Sequence, residues 1–153
     1  MTLDERTIKW DRHNLQLAKH VAGWSKDPST QVGSVIVRPD HTIASVGYNG
    51  FPRGIEDTHE RHHTRSIKLD LMVHAEMNAV LNANGPVSGY TVYIWPFMSC
   101  DRCAIHLIQA GISRVVAPVC PVEKLDTWGP IFAKTKLLYD EAGVTYTEYE
   151  NIY

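Results

Sequence analysis

The sequence predicts an α/β fold, a three-layer α/β/α sandwich built on a mixed five-stranded sheet. Two observations predict it. Helical and strand patterns alternate through the second half of the chain, an order that calls for crossover connections and parallel strands covered on both faces. Ahead of them, two β-rich runs flank a Pro39-Asp40 turn and read as a hairpin, which adds an antiparallel portion. From Asp4 to about Trp24, the residues Ile8, Leu15, Leu17, Ala18, Val21 and Ala22 fall roughly at helical spacing, so the chain begins with an amphipathic helix whose outer face is charged. SKDPST is a loop through Pro28, VGSVIVRPD the first strand and TIASVGYNG the second. GFPRGIEDTHERHHTRSIKLD is polar and reads as a long loop with a short helical piece, a length usually tied to function. HAEMNAVLNANG is helical and stops at Gly85-Pro86. TVYIW, SRVVA and VTYTEY are strands by β-branched and aromatic enrichment, while CDRCAIHLIQAG and PIFAKTKLLYDEAG are helices ended by Gly111 and Gly143.

Composition narrows the function classes. At 153 residues with 44% apolar and 21% charged content, the chain suits one globular domain over 1–153, without repeats or a linker. Its net charge of −2, with Lys and Arg dispersed, offers no basic stripe for a polyanion, so no nucleic-acid partner is expected. The charged N-terminal stretch has no apolar core of signal or membrane-spanning type, which points to a cytoplasmic protein with no membrane partner. Three cysteines, two of them in a C-x-x-C, suit reduced thiols and a metal or redox site better than a disulfide framework. Cys120 reads as a small buried hydrophobe.

Chemistry concentrates in two fragments, His74-Ala75-Glu76 and Cys100-Asp101-Arg102-Cys103. Each alone is a weak signal, since the C-x-x-C reads equally as a redox pair or half of a structural zinc site. Their placement is shared: each opens a helix, where positive potential favours thiolate over thiol and stabilises a developing anion. One imidazole and two thiolates give tetrahedral Zn²⁺ three protein ligands and leave a fourth position for water, as in catalytic sites. Zinc can lower the pKa of that water from about 16 to roughly 7. Glu76, two residues from His74, then stands where a general acid–base is needed.

This ligand set and signature are those of the zinc deaminases, in which the glutamate is not a ligand. SKDPSTQVGSVIV, GYNGFPRG, VHAEMNAVLN and CDRCAIHLIQAGI, spanning roughly Trp24 to Gly111, resemble in order the blocks of the cytidine and deoxycytidylate deaminase superfamily, and within it most those of deoxycytidylate deaminases. The resemblance implies a cytidine deaminase-like fold, a Zn²⁺ cofactor, a homo-oligomer, and hydrolysis of dCMP to dUMP and ammonia. It places Asn49 against the sugar and base edge, although Asn-Gly alone reads as a turn. Thr30, Val32 and Gly33 would form the pocket wall, with Ala75 beside Glu76 and Ser99 offering its carbonyl to the substrate amine. Met98-Ser99 stand where the family usually has proline before the first ligand cysteine. Lys26 and Arg53 are candidates for a substrate phosphate, since the resemblance places the loop of each near the site, while the segment PVCPVEKLDTWGPIF stands where the family's dCMP members usually carry a short polar stretch involved in the phosphate. Trp128 reads either as a lid stacking on a base or as packing. His59, His62 and His63 are candidates for a second metal. Two alternatives stay open: the same chemistry on a free base or nucleoside such as cytosine, deoxycytidine or guanine, and a noncatalytic zinc-stabilised binding module.

Overall fold

A computed structural model of the chain describes residues 4–151. Five strands form one mixed sheet in the order β2-β1-β3-β4-β5: β1 (Gly33–Val37), β2 (Ile43–Tyr48), β3 (Thr91–Trp95), β4 (Arg114–Pro118) and β5 (Thr145–Tyr149). The interior strand β1 runs antiparallel to both β2 and β3, whereas β3, β4 and β5 are parallel. All five residues of β1 are buried, as expected for a strand covered on both faces.

Alternation along the strands divides the core in two. Val35, Val37, Tyr93 and Val116 turn to one face and meet Leu15 and Ala18 of α1 (Glu5–Ala22). Ile36, Val92, Ile94 and Val115 turn to the other and meet α4 (Ala75–Asn82), α5 (Asp101–Gln109) and α6 (Leu125–Ala142) through Ala79, Leu107 and Tyr139. Three layers result, as the alternation predicts. Cys120 joins the second core.

Asp4 caps α1 by accepting from the Thr7 N–H at 2.7 Å. Gly33 lets this helix lie on β1: a Cβ there would stand 2.0 Å from the Ala18 carbonyl oxygen and 2.5 Å from the Ala22 nitrogen. Gly33 therefore faces α1 and is not part of the pocket wall assigned to it from sequence. Asp11, fully buried on α1, accepts from the Tyr93 hydroxyl (2.8 Å), both terminal nitrogens of Arg114 (2.8 and 2.6 Å) and the Tyr149 hydroxyl (2.6 Å). One carboxylate thus ties α1 to three strands. Periodicity alone puts an acid on the outer face and misses it.

Two stretches depart from the sequence reading. The long polar loop holds two short helices, α2 (His59–His63), capped by Thr58, and α3 (Arg65–Leu71). Helix α6 begins at Leu125, ahead of the Gly129-Pro130 pair that reads as its boundary. Proline cannot donate to the Asp126 carbonyl, yet the helix continues because its apolar side packs: Trp128 lies 5.8 Å from Phe97 and 5.9 Å from Phe132, ring centre to ring centre. Among the described residues no helix is long and apolar enough to cross a membrane.

Candidate active site

Helices α4 and α5 pack side by side, and each begins with a residue of the proposed metal centre. His74 occupies the N-cap position of α4 and Cys100 that of α5, where the Cys100 sulfur accepts from the Cys103 N–H at 3.4 Å. A two-way bridge between Gly50 and Val73 (3.1 and 2.8 Å) fixes the chain just before His74. His74 Nδ1 lies 3.5 Å from Cys100 Sγ and 3.2 Å from Cys103 Sγ, and all three donor atoms fall within 4.8 Å of one another. A tetrahedral zinc with ordinary Zn–N and Zn–S bonds needs donor separations of about 3.5–3.8 Å. The arrangement fits.

Electrostatics point the same way. A hydrogen bond from the Cys103 thiol, aided by His74, holds the Cys100 thiol well below the usual thiol range and favours its thiolate. Its neighbour Cys103 is pushed strongly upward, first by that same pairing and then by burial, because two adjacent thiolates repel. His74 is held above the usual imidazole range by its hydrogen bond to Cys100. Such a donor set is frustrated without a cation and relieved by a divalent one. Glu76, in the first turn of α4, is 4% exposed, and burial raises its carboxyl above the usual range, with the Cys100 charge adding to the effect. A carboxyl held toward its protonated form, as a group that takes and returns protons must be, results.

Gly47 sets the depth of this helix. A Cβ at Gly47 would stand 2.4 Å from the Ala79 nitrogen and 2.6 Å from the Ala75 carbonyl oxygen, so β2 and α4 touch backbone to backbone. Gly47→Ala is expected to cost about 2 kcal/mol of stability. Urea unfolding read beside zinc content checks it, an unchanged midpoint being the contrary result.

A cavity of about 360 Å³ opens over the cluster, with His74, Cys100, Glu76 and Ala75 among its walls. Thr30, Val32, Asn49 and Trp128 line it too, so five of the eight residues assigned to substrate from sequence, these four and Ala75, are brought together and three are not. Asn49, 6% exposed, spends its amide on the loop beside it. Its oxygen accepts from the Val32 N–H (2.9 Å), and its nitrogen donates to the Thr30 carbonyl (2.9 Å) and Asp27 Oδ2 (3.3 Å). One lone pair of Oδ1 stays open for a substrate hydroxyl or amine. Trp128 both lines the cavity and packs on the core, which joins the two readings of it.

Ser99, Lys26 and Arg53 lie elsewhere. Ser99 is buried toward α6, where its carbonyl accepts from the Thr135 hydroxyl (3.1 Å) and its hydroxyl bonds that of Tyr139 (2.5 Å). Lys26 pairs with Asp57 at 3.0 Å, and Arg53 donates to Asn82 at 2.8 Å, each on the surface and outside the cavity wall. The histidines of the long loop gather no second metal centre. Among the described residues, only His74, Cys100 and Cys103 bring three donors together. His62 instead bonds Asp57 and stacks on Phe51 at 4.1 Å, while His59 and His63 stack on each other at 3.7 Å.

Sequence reasoning also missed part of the wall. Asp27, Arg65 and Lys68 line the cavity. Burial opposes ionisation of Asp27, but the N–H groups of Ser29 and Thr30 and the Lys68 ammonium outweigh it and hold the carboxyl below its usual range. No local signal distinguishes Lys68 from any other lysine of a polar loop.

A model of the cytidine and deoxycytidylate deaminase zinc-binding region matches residues 8–119. A relative from Aliivibrio fischeri, described as an uncharacterized deaminase in the luxG 3′ region, is 40% identical over 139 residues, covering 91% of this chain and 92% of that one. The deoxycytidylate deaminase of Homo sapiens is 34% identical over 148 residues, covering 93% of this chain and 80% of that one. Among solved structures, the dCMP deaminase of cyanophage S-TIM5 in complex with dCMP and dUMP matches in fold with a TM-score of 0.70 at 16% identity, over 97% of this chain and all (100%) of that one.

Proposed function

The chain belongs to the cytidine and deoxycytidylate deaminase family, and from that premise we propose that it hydrolyses dCMP to dUMP and ammonia. Relatives named deoxycytidylate deaminase support a nucleotide substrate. The observation that carries the catalytic reading is the buried Glu76 carboxyl in the same cavity wall as His74 and Cys100, two of the three clustered metal donors. His74, Cys100 and Cys103 would hold the zinc. When bound, zinc supplies the Lewis acidity that makes water nucleophilic near neutral pH.

Glu76 does the proton work. As water oxygen joins C4 of the cytosine ring, Glu76 takes one proton and passes it to the ring nitrogen N3; it then takes the second and gives it to the departing amine. The C4–N bond breaks, the oxygen stays on the ring as the uracil carbonyl, and ammonia leaves. Asn49 holds the loop carrying Thr30 and Val32 and presents its free lone pair to the sugar. Trp128 closes the apolar side, where burial strengthens the charges within.

Three protein donors, with a carboxyl beside them, favour this reading over a noncatalytic zinc module, in which four protein donors would close the site. We read the chain as one deaminase unit working in the cytoplasm as a homo-oligomer. Free cysteines support the compartment, and exposed Trp24 and Tyr48 at the β2 edge support association. Ammonia release measured across dCMP, deoxycytidine, cytosine and guanine tests the substrate. The highest kcat/KM is expected for dCMP; turnover of guanine or cytosine without turnover of dCMP would contradict it.

A further inference from the structure

The cavity wall carries two cations that neither the metal donors nor Glu76 uses. Arg65 and Lys68 are three residues apart on α3, which places them on one side of that helix, and both line the cavity. Lys68 is 6% exposed, a costly position for an ammonium group. Two of its three N–H donors are occupied, by Asp27 Oδ1 and Ser29 Oγ, each at 3.1 Å. Ser29 is itself held in place, since its N–H donates to Asp27 Oδ1 at 2.7 Å, and its hydroxyl proton has no acceptor among the described residues. The Arg65 side chain is exposed and has no ion pair or hydrogen bond among the described residues.

The charges do not cancel. Asp27 and Lys68 form a pair, which leaves the Arg65 guanidinium as surplus positive charge at this wall. A fork of planar N–H donors, one remaining ammonium N–H and one hydroxyl match the oxygens of a phosphate monoester. Asp27 is the opposing carboxylate, offset by its lysine. Lys26 and Arg53, the cations the sequence suggests for this task, are paired elsewhere.

We infer that Arg65, Lys68 and the Ser29 hydroxyl form the subsite for the substrate's 5′-phosphate. The inference rests on the nucleotide reading above.

Arg65→Ala is the decisive variant because it removes no hydrogen bond or ion pair among the described residues. KM for dCMP is expected to rise about 10- to 100-fold, the size of a lost charge-assisted contact, while kcat moves less than about threefold. Inhibition of dCMP turnover by inorganic phosphate should weaken by a similar factor, and Arg65→Lys should recover part of both losses. An unchanged KM with unchanged phosphate inhibition overturns the assignment, as does a fall confined to kcat. If the unaltered protein deaminates deoxycytidine or cytosine but never dCMP, the nucleotide reading is what fails. Calorimetric titration with inorganic phosphate then decides the subsite: binding that Arg65→Ala abolishes supports it, and equal or absent binding in both proteins overturns it.

Discussion

Glu76→Gln is expected to keep its zinc and lose at least about a thousandfold in kcat on dCMP. Glutamine preserves the shape of the side chain and can still hydrogen-bond, but it cannot take a proton from water or deliver one to N3 and the leaving amine. Burial at 4% exposure matters here, because few other proton acceptors can stand in for the carboxyl at that position. Substituting a neutral amide for a carboxyl that burial already disfavours as an anion should leave folding intact. Metal analysis and steady-state ammonia release on the same preparation check both halves. Turnover within tenfold of the unaltered protein would remove Glu76 from the mechanism.

Cys103→Ser should have the second large effect, on metal and stability together. Cys103 is 3% exposed in the first turn of α5, and its sulfur is 3.2 Å from His74 Nδ1. A serine hydroxyl stays protonated at neutral pH and is a poor zinc ligand, so zinc content should drop to near zero. If the unaltered protein holds zinc about a thousandfold above its dissociation constant, the variant gives up roughly 4 kcal/mol of linked stability. Thermal unfolding with and without a chelator measures this: the chelator should destabilise the unaltered protein and leave Cys103→Ser unmoved. Equal chelator sensitivity in both would contradict the ligand assignment.

The metal centre was legible in the sequence because its chemistry is local. His74 and Glu76 are two residues apart and the two cysteines three, and each motif opens a helix marked by its own apolar pattern. Only the meeting of the two motifs needed the fold, which supplies it by packing α4 and α5 side by side on one face of the sheet. The strands were equally legible, since β1 to β5 carry continuous or alternating β-branched runs.

What escaped the sequence depends on partners far along the chain. Asp11 looks like a surface acid until Tyr93, Arg114 and Tyr149 arrive from three strands. Gly129-Pro130 looks like a helix boundary until the aromatic packing around Trp128 carries α6 through it. Lys26 and Arg53 sit within motif blocks and so attract the phosphate role, whereas Lys68, outside any motif block, is the lysine that bonds Asp27 and Ser29 at the cavity wall. Gly47 carries no sequence signal beyond being glycine, yet its missing side chain sets how closely α4 approaches β2.

One claim supports the rest: His74, Cys100 and Cys103 grip a single zinc and leave a place beside Glu76. X-ray absorption at the zinc edge of the purified protein tests it most directly. The expected spectrum reports one zinc per chain with two sulfur neighbours near 2.3 Å and nitrogen or oxygen neighbours near about 2.0–2.1 Å. A protein without stoichiometric zinc, or a zinc shell made of four sulfurs or of none, would contradict the claim.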